Sequence, residues 1–192
     1  MLDNIWKWQS RLALILKTIR LRVMFYRCVE FSGFQNIHHT TQIYGRKNGS
    51  VKLGKRISSC RNTALVAVGG KLTVGDYTSF SENCAVVCHE KIVIGSNCMF
   101  GPNSCIYDHD HIFNYNGLQA GHNTSPIVIG DKCWIGANVV ILRGTRIGEC
   151  CIIGAGTVVK GDIPSHSLVV SERSMKIKPL YIKKPSESSN YK

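Results

Sequence analysis

Acidic residues are scarce in this 192-residue chain: 12 Asp and Glu stand against 24 Lys and Arg, a formal net charge of +12 at pH 7. The surplus is local. Residues 1–27 carry Lys7, Arg11, Lys17, Arg20, Arg22 and Arg27 against Asp3 alone, and residues 173–192 repeat the imbalance against Glu187. Charge confined to the ends argues against a nucleic-acid-binding body, and no nucleic-acid recognition module is recognisable. Long apolar runs are missing too. Nothing approaches the ~20 residues that span a bilayer, and charges scattered through the first residues predict no cleavable leader. The nine cysteines include no Cys-x-x-Cys pair, so the spacing of a structural zinc site is absent. We read them as small buried or half-buried side chains in a reducing, cytoplasmic compartment.

What is present is a period that belongs to neither helix nor isolated strand. Over residues 127–159 an aliphatic recurs at Ile129, Ile135, Ile141, Ile147, Ile153 and Val159, six apart each time, and Gly130, Gly136, Gly148 and Gly154 follow four of them. Small or β-branched residues (Cys133, Val139, Thr145, Cys151, Thr157) stand four beyond the aliphatics. Three short strands per coil of 18 residues satisfy this period, with every sixth side chain aimed at a common axis and glycine permitting tight corners. The fold class predicted is all-β, a left-handed parallel β-helix. Two buried strands of an α/β domain would not hold a six-residue register for so long.

Taken in order, residues 1–30 place Ile5, Leu12, Ile15, Leu16, Ile19 and Val23 on one stripe of a helix with Lys17, Arg20 and Arg27 opposite. Such an amphipathic segment can cap the coil or attach peripherally to an anionic membrane face. The β-helix domain is expected over 31–178. Its repeat is worn over 51–75, where coiling is expected to begin, and two extra residues near Cys88-His89 shift its phase. The repeat then stops after Ile106 for an excursion over 107–126, rich in His, Asp, Asn and Gly, which reads as a protruding loop. The tail, 179–192, is polar and aperiodic, the composition of disorder.

The excursion holds the candidate chemistry, Asp108-His109-Asp110-His111. A histidine titrates near working pH and can take a proton from a hydroxyl, and a carboxylate on its other nitrogen sets the tautomer. A second use is metal binding, in which three imidazoles drawn from His89, His109, His111 and His122 hold Zn²⁺ with water in the open position. Asn83 can present an amide to a polar acceptor or simply occupy a corner in αL geometry. Trp134 falls outside the inward register, so it lies on a face where it can stack on a ligand or a partner chain.

These hexapeptides, the excursion and the run Trp134-Ile135-Gly136-Ala137 together resemble the hexapeptide-repeat acyltransferases. Within them the chain looks closest to the sugar O-acetyltransferases, of the maltose and galactoside type and of capsular or exopolysaccharide biosynthesis. The resemblance spans residues 50–178. It implies a homotrimer, acetyl-CoA as co-substrate in a cleft between neighbouring coils, no required metal, and direct transfer with His109 as general base. By the same resemblance Asn83, Asp108 and His111 serve the acceptor side, Trp134 and Gly136 flank the pantetheine arm, and the Ala137 N–H faces the developing oxyanion. Gly154, Ala155, Gly156 and Thr157 line the cofactor cleft, with Lys160 and Arg173 toward its phosphates. One departure is that Glu172, Ser174 and Met175 replace the glycine, proline and alanine with which family members close the coil. Three readings stand beside the leading one: N-acetyl transfer to an amino sugar, a zinc enzyme like the gamma-class carbonic anhydrases, and a non-enzymatic scaffold.

Overall fold

The computed structural model describes residues 28–171 together with Leu16. The amphipathic helix expected over 1–30, the tail 179–192 and Arg173 therefore lie outside the described residues, save Leu16 and the last three residues of that first segment. The rest winds as a left-handed parallel β-helix with three faces. Seven strands run from Val29–Phe31 to Asp162–Ile163 on the first face, seven from Asn36–Ile37 to Leu168–Val169 on the second, and six from Gln42–Arg46 to Val158–Val159 on the third.

The period works as read. Leu53, Val74, Ile94, Ile129 and Ile147 stack inward on the first face, and Phe80, Phe100, Ile135 and Ile153 on the second. Each such burial stabilises the coil by about 1.5–3 kcal/mol. The Phe80 and Phe100 rings lie stacked, 4.8 Å between centroids. Coiling begins earlier than the worn repeat suggested. Phe31, Ile37 and Ile43 keep the six-residue spacing, and Val29–Phe31 already pairs with Ser50–Leu53. The missing signal was glycine: Ser32, His38 and Tyr44 follow these three aliphatics instead.

The phase-locked glycines also serve differently from the expectation. The left-handed backbone position of successive corners is held mostly by other residues, Asn62, Asn83, Asn103 and Asn138 on one corner and Tyr77, Asn97, Lys132 and Cys150 on another. Glycine is needed instead for close approach between coils. A Cβ on Gly136 would sit 2.7 Å from the Ala155 backbone nitrogen, and one on Gly101 2.7 Å from that of Ala137. Backbone cannot swing aside as a side chain can, so Gly136→Ala is expected to cost about 1–3 kcal/mol, the usual penalty for overpacking. A melting temperature within 1 °C of wild type would contradict this account.

The excursion over 107–126 is not an irregular loop. His109–Asn114 and Gly117–Thr124 form an antiparallel hairpin, with His111 opposite His122 and a register shift between His111 and Phe113. Its foot is tied to the coil: the Ser125 N–H donates to the Asp108 carbonyl at 2.9 Å, and the Gly144 N–H to the Ser125 carbonyl at 3.1 Å.

Candidate active site

Coils stack, so residues far apart in sequence share a corner. Tyr107 pairs with Val87, and two residues further on this register brings His109 over His89, with ring centroids 3.8 Å apart. The hairpin's return strand adds His122, 4.4 Å from His89 and 5.1 Å from His109 by centroids, and His111 lies 4.9 Å from His122. His109 and His111, two apart on one strand, face the same side and oppose Thr124 and His122 on the return strand. Tyr107 closes the group edge-on to His109 at 6.0 Å.

Asp108 anchors this corner. It is completely buried, and its carboxylate accepts the backbone N–H groups of His89 at 2.7 Å, Glu90 at 2.8 Å and Lys91 at 2.9 Å. Its Oδ1 also stands 3.4 Å from His109 Nδ1. The expectation of Asp108 as an acceptor-binding residue is thereby corrected: both its oxygens are committed and no surface is left for a substrate. Its effect on His109 is to orient the ring, which keeps Nδ1 inward and turns Nε2 to the surface. His109 retains 13% side-chain exposure, enough to meet a ligand from one side only.

Burial, then the charges of His109 and His122, lower the pKa of His89 below its ordinary 6.5. A ring held neutral in the folded protein but protonated when unfolded costs stability as pH falls through 6.5, so this corner loosens in acid and not in base. Burial first, then Asp108, pushes the Cys88 thiol up to about 12. At neutral pH it holds its proton and is no nucleophile. Sequence reasoning overlooked Tyr107 and Arg143. Arg143, half-buried on the corner one coil later, pairs through Nε with Asp110 and pins the hairpin's base. It considered His89 only as a metal ligand; counting back 20 residues, the separation of Phe80 and Phe100, would have placed it on His109.

The other predicted residues lie elsewhere. Asn83 occupies the corner between the second and third faces, at φ 59° and exposed, where it accepts from the Asn62 amide at 3.3 Å and donates to Asn103 at 3.1 Å. Asn103 in turn donates to Asn138 at 3.2 Å, so Asn83 belongs to an asparagine ladder that satisfies the corner. Gly136, Ala137, Gly154, Ala155 and Gly156 share this corner. The Ala137 carbonyl accepts from the Gly156 N–H at 2.8 Å, whereas its own N–H has no acceptor among the described residues. Thr157 does not line a cleft through its side chain: it is buried, and its Oγ1 points into the coil without a partner. Trp134, 56% exposed, stands on the outer second face between Met99 and Ile152. Lys160 is exposed beside Gly161, on the His109 corner.

Two sequence families match this chain, "Bacterial transferase hexapeptide (six repeats)" over residues 126–161 and "Hexapeptide repeat of succinyl-transferase" over 91–106. Both fall on stacked coils that the structure shows. The chain's repeats are similar to those of the hexapeptide-repeat acyltransferases. Among its relatives, a protein of Escherichia coli (strain K12) named as a lipopolysaccharide-biosynthesis O-acetyl transferase is 27% identical over 166 residues, 81% of either chain. Another from the same strain, named as a colanic acid biosynthesis acetyltransferase, is 30% identical over 60% of this transferase and 62% of its own length. A hexapeptide-repeat acetyltransferase of Vibrio cholerae shares the fold, with TM-score 0.54 and 22% identity over 88% of this chain and 81% of that one.

Proposed function

We propose that this acyltransferase moves an acetyl group from acetyl-CoA to a sugar hydroxyl in surface-polysaccharide biosynthesis. The observation that carries the reading is His109, half-buried at the foot of the hairpin with Nδ1 against the sequestered Asp108. Its outward Nε2 takes the hydroxyl proton as the oxygen attacks the thioester carbonyl. The carbonyl oxygen gains charge only on the way to the tetrahedral intermediate, where a waiting N–H such as that of Ala137 stabilises it. Collapse expels CoA thiolate, which takes up the proton. The relatives named for lipopolysaccharide and colanic acid biosynthesis support the acceptor class.

On this reading one chain does not assemble the site. The third-face edge from the asparagine corner to the His109 corner is five residues, roughly 16 Å at strand spacing, whereas a base must come within about 3 Å of the proton it takes. A neighbouring copy that lays its asparagine corner beside this chain's hairpin closes the gap, which supports a homotrimer with three shared clefts. Met99, Trp134, Ile152 and Leu168 form an exposed apolar row on the second face that such packing or the pantetheine arm would cover. Lys160, and Arg173 beyond the described residues, are the charges for the phosphates. The enzyme is placed in the cytoplasm, where acetyl-CoA is made, with the basic segment 1–27 against the inner membrane face; deleting it is expected to release the protein from anionic vesicles.

The direct test is thiol release from acetyl-CoA across a panel of mono- and oligosaccharides, with amino sugars included. Release that depends on a hydroxyl acceptor supports the reading; release only with an amine, or none together with no CoA binding, overturns it. Shared clefts make a second demand. Co-expressed His109→Ala and Trp134→Ala chains, each impaired alone, are expected to recover activity in mixed oligomers, because some interfaces pair an intact His109 with an intact Trp134. No recovery would place the whole site in one chain.

A further inference from the structure

His89, His109 and His122 come from three different supports, a coil corner, the start of the hairpin and its return strand, and one nitrogen of each lies within 4.8 Å of the other two. We infer that these three imidazoles form a binding site for a divalent transition-metal ion of the zinc type, and that the bound ion switches the transferase off. The metal is not a cofactor here; it competes for the lone pair that the reaction needs. That second half rests on His109 being the base.

Three observations converge on a ligand set rather than a crowded surface. The ligand type is right: neutral imidazole suits Zn²⁺, Cu²⁺ and Ni²⁺, and three protein nitrogens with one open position make a known zinc geometry. The support is right. A metal-bound histidine commonly presents its other nitrogen to a carboxylate, and Asp108 does this for His109 while its grip on the His89 N–H fixes the backbone of a second ligand. The reach is right as well. Zn–N bonds of about 2.0–2.1 Å put tetrahedral ligand atoms about 3.3 Å apart, so the widest pair has to close by about 1.5 Å. His122, exposed on the hairpin, can make that adjustment without disturbing the coil. His111, against His122 on its other side, is placed to supply a fourth ligand or to yield to water.

Coordination takes up the Nε2 lone pair of His109, and the same lone pair cannot then accept a proton from an acceptor hydroxyl. Zinc is therefore expected to inhibit in competition with the acceptor rather than with acetyl-CoA, and chelation to restore activity in full.

The experiment starts from full-length protein stripped with EDTA and titrates it with Co²⁺, followed by Zn²⁺. Expected are one Co²⁺ per chain, the intense visible absorption of a four-coordinate site, and its loss as Zn²⁺ displaces the cobalt. His89→Gln and His122→Gln each weaken binding at least about tenfold. Melting temperatures show that both variants are folded. Less than half an equivalent bound, the weak spectrum of six-coordinate cobalt, or undiminished affinity in both variants overturns the site. Inhibition by Zn²⁺ is read separately on wild type: tight binding that leaves acetyl transfer untouched keeps the site and removes His109 from the role of base.

Discussion

His109→Ala is expected to lower kcat for acetyl transfer by two to four orders of magnitude while leaving the KM for acetyl-CoA near its wild-type value. The size follows from the role: a positioned general base contributes about 10²–10⁴-fold, or about 2.7–5.5 kcal/mol of barrier. The split follows from the geometry, since the residues proposed for the pantetheine arm lie on the asparagine corner and the second face, and Lys160 stands two coils beyond the hairpin. His109→Gln sharpens the test, because an amide can still donate toward Asp108 and hold the corner, yet has no basic nitrogen. It is expected to be as inactive as alanine and as stable as wild type. A loss smaller than tenfold in both variants would exclude His109 as the base.

Asp108→Ala is expected to be the most damaging single change for stability in the described chain, at about 3–5 kcal/mol. Three successive N–H groups, on His89, Glu90 and Lys91, lose their acceptor in a site from which solvent is excluded. Each unsatisfied donor costs about 1–3 kcal/mol, and water entering from the corner recovers part of the sum. For a chain of this size the melting temperature should fall by roughly 6–20 °C. Asp108→Asn is expected to fall between, since it keeps one acceptor oxygen and turns an amide donor toward the remaining N–H groups. A fall of less than 3 °C for alanine would mean that the corner does not depend on this carboxylate. Activity should drop with stability, because the same carboxylate orients His109.

Much of the fold was written locally. A coil of this kind repeats one short instruction, an aliphatic every sixth residue followed by a residue small enough for the next coil to approach, and each copy can be read without knowing the others. Ile129 through Val159 determined the prism and its inward stack, and the stop of the repeat after Ile106 marked His109 as a residue at the exit of a regular coil. The first coil is harder to read for the same physical reason: Ser32, His38 and Tyr44 follow Phe31, Ile37 and Ile43, so the glycine half of the instruction is missing there. The hairpin escaped notice because His109–Asn114 alternates between largely exposed sides and has no apolar face to betray a strand.

What the sequence could not decide was which side chains meet. Stacking of Val87 on Tyr107 brings His89 onto His109 across 20 residues of chain, and only that register, lengthened by the two extra residues at the Cys88-His89 corner, produces the histidine cluster. The burial of Asp108 was likewise invisible, since a carboxylate in a polar stretch reads as exposed until the three N–H groups that satisfy it are folded around it. The placement of Asn83 and His109 on two different corners of the prism came from the same source. Residue spacing along the chain determines the coil, because inward and outward positions depend on local periodicity. Contacts between coils and between corners depend on the length of every turn in between, and that sum is settled only when the chain has closed on itself.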